Sequence, residues 1–374
     1  MFNIRNTSKN TGKRIFYFAF ILLILLTSCK SLNKKGNYFK AEPLSKKVGN
    51  IEVIVDPNVE MMMILARCAD YLGFEKKLFL QNEYLDKVDE YFKQYDISKE
   101  INLISNSQLW YDLLPEYAMH LNSDDTDFDM DLSNSNFTYR DGLASGHRFY
   151  NDKENVDIIR NFRLKTKFDE FFLSNNSVYT KMIDDNINVL NECELESWLK
   201  DFYSTDNKRL CLYLTYIAGN YGIQYREANG DYTPHAVVLG NSSSTEFLFL
   251  CSHEFSHSYT RPIVAKLYEN KEIRDVFQKL YESNAEIFNQ NGYPSSYYVL
   301  NETFNQACAN KFLEKVLSEK EMEYFNNVMV QYHKMIYVPV ITEFLNQYEQ
   351  NRCDYKNLDD FLPRLEEFIG KLES

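Results

Sequence analysis

The chain has 374 residues, and its 54 acidic against 41 basic side chains give a formal charge of −13. Nucleic-acid binding needs a basic face that neutralises phosphates, and no long Lys/Arg cluster beyond the amino-terminal 50 residues supplies one. The chain is long enough for one large or two smaller domains, and the hydrophobic share of 44% permits a sizeable core.

The amino terminus has the pattern of an export signal. An uncharged apolar run, 15–26, follows four basic residues, Arg5, Lys9, Lys13 and Arg14. The run is too short to span a bilayer, so we expect residues 1–28 to be removed, which takes the formal charge to about −17. Leu26-Thr27-Ser28-Cys29 resembles the lipobox of bacterial lipoproteins. The resemblance implies that Cys29 carries a lipid anchor in the cell envelope and that 29–50 is a tether. A plain secretory signal is the alternative.

Hydrophobic periodicity predicts a mostly helical chain with few strands. Strand patterns cover 51–56, 209–217 and 235–239, and helical patterns cover 59–72, 82–94, 97–120, 154–173 and 177–203. From residue 243 onward the pattern is helical, with breaks near Pro262, Gly292-Tyr293-Pro294 and Pro339. We therefore predict an α+β, predominantly helical fold with a small antiparallel sheet. A division near residue 175 separates an N-terminal region, 51–175, from a catalytic region, 176–374.

The segment His253-Glu254-Phe255-Ser256-His257 carries the chemistry. A capping-box pattern at 243–246 and a charge-free run precede it, which predicts a helix that ends near Thr260 because of Pro262. Histidines four residues apart share one helix face and can bind one metal ion. Glu254 projects about 100° from His253 around the axis, where it can act as a general base without being a ligand. Zn²⁺ is the expected metal for such a site.

The spacing resembles the HExxH motif of zincins, and the third ligand must come from elsewhere. The metzincin continuation is absent, since Thr260 and Ile263 stand in its Gly and His places. Asn301-Glu302 resembles the third-ligand motif of thermolysin-like gluzincins and implies that Glu302 completes the site. Where that family has an aspartate to orient a zinc histidine, this chain has Gln306. Glu282 and Glu286 are alternative ligands.

The whole region also resembles a family of uncharacterised Bacteroidetes lipoproteins, a domain of unknown function with a zincin motif. The resemblance implies a gluzincin-like fold in which residues 236–239 form an edge strand that binds substrate backbone. It also implies an oxyanion-stabilising residue beyond the third ligand, with Tyr332, His333 and Tyr337 as candidates.

These features predict a zinc-dependent peptidase in which Glu254 is the general base and a peptide or protein is the substrate. The main alternative is a non-catalytic envelope lipoprotein that binds a glycan or a protein. In that case a closed structural zinc site would recruit Cys251 or Cys308 as a fourth ligand. A third hypothesis is zinc-dependent hydrolysis of a non-peptide bond.

Overall fold

The computed structural model describes residues 40–70, 82–107, 113–119, 121, 153–205, 209–217, 220–226, 232–239 and 244–372. The predicted export signal, the predicted lipidation site Cys29 and the first residue of the predicted capping box, Ser243, lie outside these residues. Residues Ala41–Ser374 form one compact unit.

A five-stranded mixed sheet forms one layer of this unit. Its strands are β1 (Leu44–Val48), β2 (Ile51–Val55), β3 (Leu210–Thr215), β4 (Asn220–Arg226) and β5 (Tyr232–Leu239), in the spatial order β1-β2-β3-β5-β4. The outer pairs β1/β2 and β4/β5 are antiparallel, whereas β2/β3 and β3/β5 are parallel. The prediction of a small sheet is confirmed, but its purely antiparallel pairing is wrong. Alternation along a strand reports the buried face and not the direction of the neighbouring strand.

The predicted edge strand is an interior strand. Both sides of β5 are paired, since Leu212 faces Ala236 on one side and Gly222 faces Ala236 on the other. Residues 236–239 therefore have no free backbone edge, and the edge on this side of the sheet is β4. Strand β4 was not predicted, although Tyr221, Ile223 and Tyr225 alternate with polar residues and glycine along it.

Eight helices belong to the first half of the described chain. They are α1 (Pro57–Cys68), α2 (Glu83–Phe92), α3 (Ser98–Asn106), α4 (Leu113–Met119), α5 (Lys153–Lys165), α6 (Phe168–Ser174), α7 (Asn176–Cys193) and α8 (Leu195–Tyr203). Two helices predicted as continuous are each split by a residue with a left-handed backbone, Lys167 at φ 50° and Glu194 at φ 55°. A left-handed residue ends a helix because it turns the backbone out of the helical path.

The predicted boundary near residue 175 falls between α6 and α7, within the compact unit. The sheet draws strands from both sides of it, since β2 precedes the boundary and pairs with β3, which follows it. Residues 44–48, assigned to the tether in the sequence, form β1 and pair with the buried strand β2.

The second half carries the helices that build the site. They are α9 (Ser244–Glu269), α10 (Lys271–Ser283), α11 (Ala285–Gln290), α12 (Ser296–Val316), α13 (Glu319–Asn327), a π-helical turn (Val328–Tyr332), α14 (Val338–Phe344), α15 (Asn346–Gln350) and α16 (Leu358–Ile369). Helix α9 packs along α12 on one side and contacts β4 and β5 on another. In the described part of the chain, no helix is both long and apolar enough to cross a membrane.

Helix α9 continues through Pro262, whereas the sequence predicted its end near Thr260. An internal proline removes one backbone hydrogen bond and costs about 3 kcal/mol. Ile263, Val264 and Leu267 lie beyond the proline and are at most 5% exposed. Full burial of each such side chain contributes about 1.5–3 kcal/mol, so the three together exceed the cost of the proline.

Candidate metal centre

Helix α9 brings the two histidines of the motif together. Their rings lie 4.8 Å apart, centroid to centroid, and their Nε2 atoms are 3.2 Å apart. The helix is anchored beside them by Leu248, Cys251 and Phe255, all at most 7% exposed. The predicted i, i+4 pairing of His253 and His257 on one face is therefore what the structure contains.

Helix α12 supplies the carboxylate. Glu302 Oε2 lies 3.3 Å from His253 Nε2 and 3.5 Å from His257 Nε2. With the 3.2 Å between the two nitrogens, the three atoms form a nearly equilateral triangle. A tetrahedral zinc ion with bonds of about 2.0–2.1 Å separates its ligand atoms by about 3.3–3.4 Å. The triangle thus has the size of one face of that tetrahedron.

The charges of the three groups are coupled. Burial acts to raise the pKa of Glu302, but His257 and His253 hold it well below its usual range. Burial acts to lower the pKa of His253, but the hydrogen bond to Glu302 and the charges of Glu254 and Glu302 raise it to about 9. At neutral pH the metal-free cluster is therefore an ion pair, and a divalent ion would take the place of the proton on His253.

A chain of buried amides fixes the orientation of His253. Its Nδ1 donates to Gln306 Oε1 at 2.7 Å, and Gln306 Nε2 donates to Asn310 Oδ1 at 2.8 Å. Asn310 Nδ2 in turn donates to Asn326 Oδ1 and Thr342 Oγ1. Because the amide of Gln306 is held at both ends, its oxygen faces the imidazole, and Nδ1 keeps its proton while Nε2 points to the cluster.

Helix α12 also holds the backbone of the motif. Asn305 Nδ2 donates to the carbonyl oxygen of His253 at 2.9 Å, and Asn305 Oδ1 accepts from Thr260 Oγ1 at 2.8 Å. By contrast, His257 Nδ1 and Asn301 Oδ1 are buried and have no hydrogen-bond partner among the described residues. The outer contacts of the two histidines therefore differ.

Glu254 lies beside the two histidines without joining their ion pair. A carboxylate oxygen of Glu254 and one ring nitrogen each of His253 and His257 lie within 4.8 Å of one another, which makes the three a group that could hold a metal ion. Among the described residues, the carboxylate paired with both imidazoles is that of Glu302. Two carboxylates therefore lie near the pair of imidazoles, that of Glu302 in contact with both and that of Glu254 beside them.

The three candidates for an oxyanion-stabilising residue fall in different places. His333 follows the π-helical turn, and its pKa is lowered by burial and by the charge of His253, so it lies within electrostatic range of the cluster. Its Nδ1 is buried and has no hydrogen-bond partner among the described residues. Tyr332 is 73% exposed. Tyr337 is buried and packs edge-on against Phe277, with ring centroids 5.6 Å apart.

The other proposed ligands lie elsewhere. Glu282 and Glu286 are exposed and accept hydrogen bonds from Gln278 and Gln290 on their own helices. Cys251 and Cys308 are fully buried, and the metal-type cluster of the described residues includes neither.

Sequence reasoning missed one tyrosine near the cluster. The pKa of Tyr293 is raised by burial first and then by the charges of Glu302 and Glu254, so its hydroxyl lies within electrostatic range of both carboxylates. The preceding Gly292 has φ 81°, a conformation that glycine adopts without strain. The signal was the Gly292-Tyr293-Pro294 break, which marked a turn just before α12.

The comparisons with known proteins identify a family and nothing finer. The family described as a domain of unknown function (DUF4932) matches residues 51–367. No curated protein and no solved structure matches the chain. Because the family match covers most of the sequence, the chain belongs to the DUF4932 family.

Proposed function

We propose that this protein is a zinc-dependent hydrolase of the zincin type that cleaves peptide bonds. The observation that carries the proposal is the triangle of His253 Nε2, His257 Nε2 and Glu302 Oε2, with sides of 3.2, 3.3 and 3.5 Å. Two imidazoles and one carboxylate are the ligand set of catalytic zinc sites, which keep one position open.

Zinc bound there would supply a Lewis acid that polarises a carbonyl group and makes a water molecule more acidic. Glu254 takes the proton of the attacking water on its carboxylate and delivers it to the leaving amine. Its place beside the two histidines, within 4.8 Å, supports this role. Gln306 holds His253 in the tautomer that a ligand needs.

His333 is our candidate for stabilising the oxyanion, because it lies within electrostatic range of His253 and its Nδ1 has no hydrogen-bond partner among the described residues. Tyr337, whose ring packs edge-on against Phe277, stays the second candidate. Because residues 236–239 lie in a strand paired on both sides, we assign substrate binding to β4 instead. Strand β4 is the edge strand and contacts α9.

Two variants separate metal binding from turnover. The test measures zinc content by mass spectrometry and the cleavage of a proteome-derived peptide mixture by the appearance of new peptide termini. We expect Glu254→Gln to keep one zinc per chain and to lose about 10²–10⁴-fold of the cleavage rate. We expect Glu302→Ala to lose stoichiometric zinc, whereas Glu282→Ala, the control, keeps both zinc and activity.

A zinc-loaded wild type that cleaves no peptide would contradict the peptidase proposal. It would favour a non-peptide substrate or a non-catalytic binding protein. Unchanged cleavage by Glu254→Gln would remove Glu254 from its role.

The export and anchoring of the protein are a separate part of the proposal. They rest on the lipobox-like sequence that ends at Cys29. We expect the wild type to fractionate with bacterial membranes and Cys29→Ser to lose its lipid and leave the membrane fraction. Equal membrane association of the two would contradict a lipid anchor.

A further inference from the structure

A stack of aromatic rings begins beside His253. The ring of Phe249, one turn earlier on α9, lies nearly parallel to the His253 imidazole, at 12° and a centroid distance of 6.3 Å. Phe325 from α13 stacks on Phe249 at 4.5 Å and 11°. Tyr324 meets Phe325 edge-on at 5.5 Å and is 64% exposed. Phe249 and Phe325 are only partly buried, so the stack leads from the metal centre toward solvent.

The stack is held in place at both ends of α13. Near the start of this helix, Glu321 closes a capping box with Ser318, and Glu321 Oε1 accepts from Thr245 Oγ1 of α9 at 2.9 Å. At its end, Asn326 Oδ1 accepts from Asn310 Nδ2 of α12 at 3.1 Å. Phe325 is therefore positioned by side chains of both helices that build the metal centre.

The geometry points to a specificity subsite: we propose that Phe249 and Phe325 bind an aromatic side chain of the substrate residue next to the scissile bond. This inference rests on the proposed peptidase function. The Phe249 ring lies 6.3 Å from the His253 ring, and neighbouring Cα atoms of an extended peptide are about 3.8 Å apart. The side chain of a residue at the metal can therefore reach the stack.

The apolar character of the stack favours an aromatic side chain over a sugar ring as its ligand. Aromatic rings attract one another in offset-stacked and edge-on arrangements, in addition to the burial of their surface. A sugar ring would also need free polar groups for its hydroxyls. Two polar side chains of α13 are already engaged, Glu321 with Ser318 and Thr245 and Asn326 with Asn310. The stack therefore fits an aromatic side chain better than a carbohydrate.

A pair of metal-chelating probes tests the subsite directly. Phenylacetohydroxamate and acetohydroxamate share the chelating group and differ by one phenyl ring. Titrated into the zinc-loaded full chain, the phenyl probe is expected to bind about tenfold more tightly, from ring contact and burial. Phe325→Ala should lower this ratio to less than about threefold while acetohydroxamate binds as in the wild type. Phe325→Tyr should keep the ratio because it keeps the ring.

A matched control removes a stacked ring elsewhere. Phe368→Ala deletes a partly buried ring that stacks on Phe344 at 3.9 Å, and the ratio of the two probes should not change. Thermal unfolding midpoints measured beside each titration show that the variants are folded.

The outcomes separate the subsite from the function on which it rests. Equal affinity of the two probes for the wild type overturns the subsite and leaves the zinc site standing. No binding of either probe overturns the proposed function and the subsite with it. Tighter binding of gluconohydroxamate than of phenylacetohydroxamate overturns the aromatic specificity and assigns the stack to a sugar.

Discussion

Replacing Gln306 by leucine should weaken zinc binding without unfolding the protein. Gln306 is fully buried, accepts from His253 Nδ1 at 2.7 Å and donates to Asn310 Oδ1 at 2.8 Å. Leucine has similar volume but no polar atoms, so the imidazole loses the acceptor that fixes its tautomer. Loss of such an outer partner costs about 10–100-fold in metal affinity, which corresponds to about 1.4–2.7 kcal/mol.

The assay is a competition for zinc against a chromophoric chelator at pH 7.5, with unfolding of the metal-free protein measured in parallel. Asn305→Ala is the matched control, because Asn305 is equally buried but bonds to the carbonyl oxygen of His253 and not to its ring. This control should lose about 1–3 kcal/mol of unfolding free energy and keep its zinc affinity within about threefold. An unchanged affinity in Gln306→Leu, or an equal loss in Asn305→Ala, would refute the orienting role of Gln306.

Two further predictions concern pH. The pKa of His253, raised to about 9 without metal, means that zinc must displace a proton below that pH. Zinc affinity should therefore rise about tenfold per pH unit between pH 6.5 and 8.5, and a flat profile in the chelator assay would argue against His253 as a ligand. Burial raises the pKa of Glu60 to about 7, against the hydrogen bond from Tyr84. A carboxyl whose pKa is raised in the folded state stabilises the fold fully below its unfolded pKa and loses that contribution as pH rises through 7. Urea unfolding should thus show about 3 kcal/mol less stability at pH 8 than at pH 4.5 from this group, and Glu60→Gln should remove that part of the slope. The same slope in wild type and variant would contradict this assignment.

The arrangement of the cluster followed from short-range patterns in the sequence. Helical geometry alone places residues 253 and 257 on one face, and an apolar stripe beside them indicates which face is buried. Glu302 was selected through its likeness to the Asn-Glu motif, and the structure brings its carboxylate to the two histidines. That these residues bind zinc and hydrolyse peptides stays a prediction.

Features that depend on distant parts of the chain were not predictable. The parallel pairing of β2 with β3 joins strands more than 150 residues apart, and strand patterns carry no information on such partners. The stack of Phe249 on Phe325 likewise exists only because α13 lies against α9. The helix end predicted at Thr260 failed for a related reason, because tertiary burial of Ile263, Val264 and Leu267 outweighs the local preference of Pro262.

X-ray anomalous difference maps recorded on either side of the zinc absorption edge, on crystals grown with zinc, test the central claim most directly. The account predicts one strong peak about 2.0–2.2 Å from His253 Nε2, His257 Nε2 and Glu302 Oε2, with Glu254 outside bonding distance. A peak bound by Glu254 in place of Glu302, a peak that includes Cys251, or no peak at the cluster would contradict it.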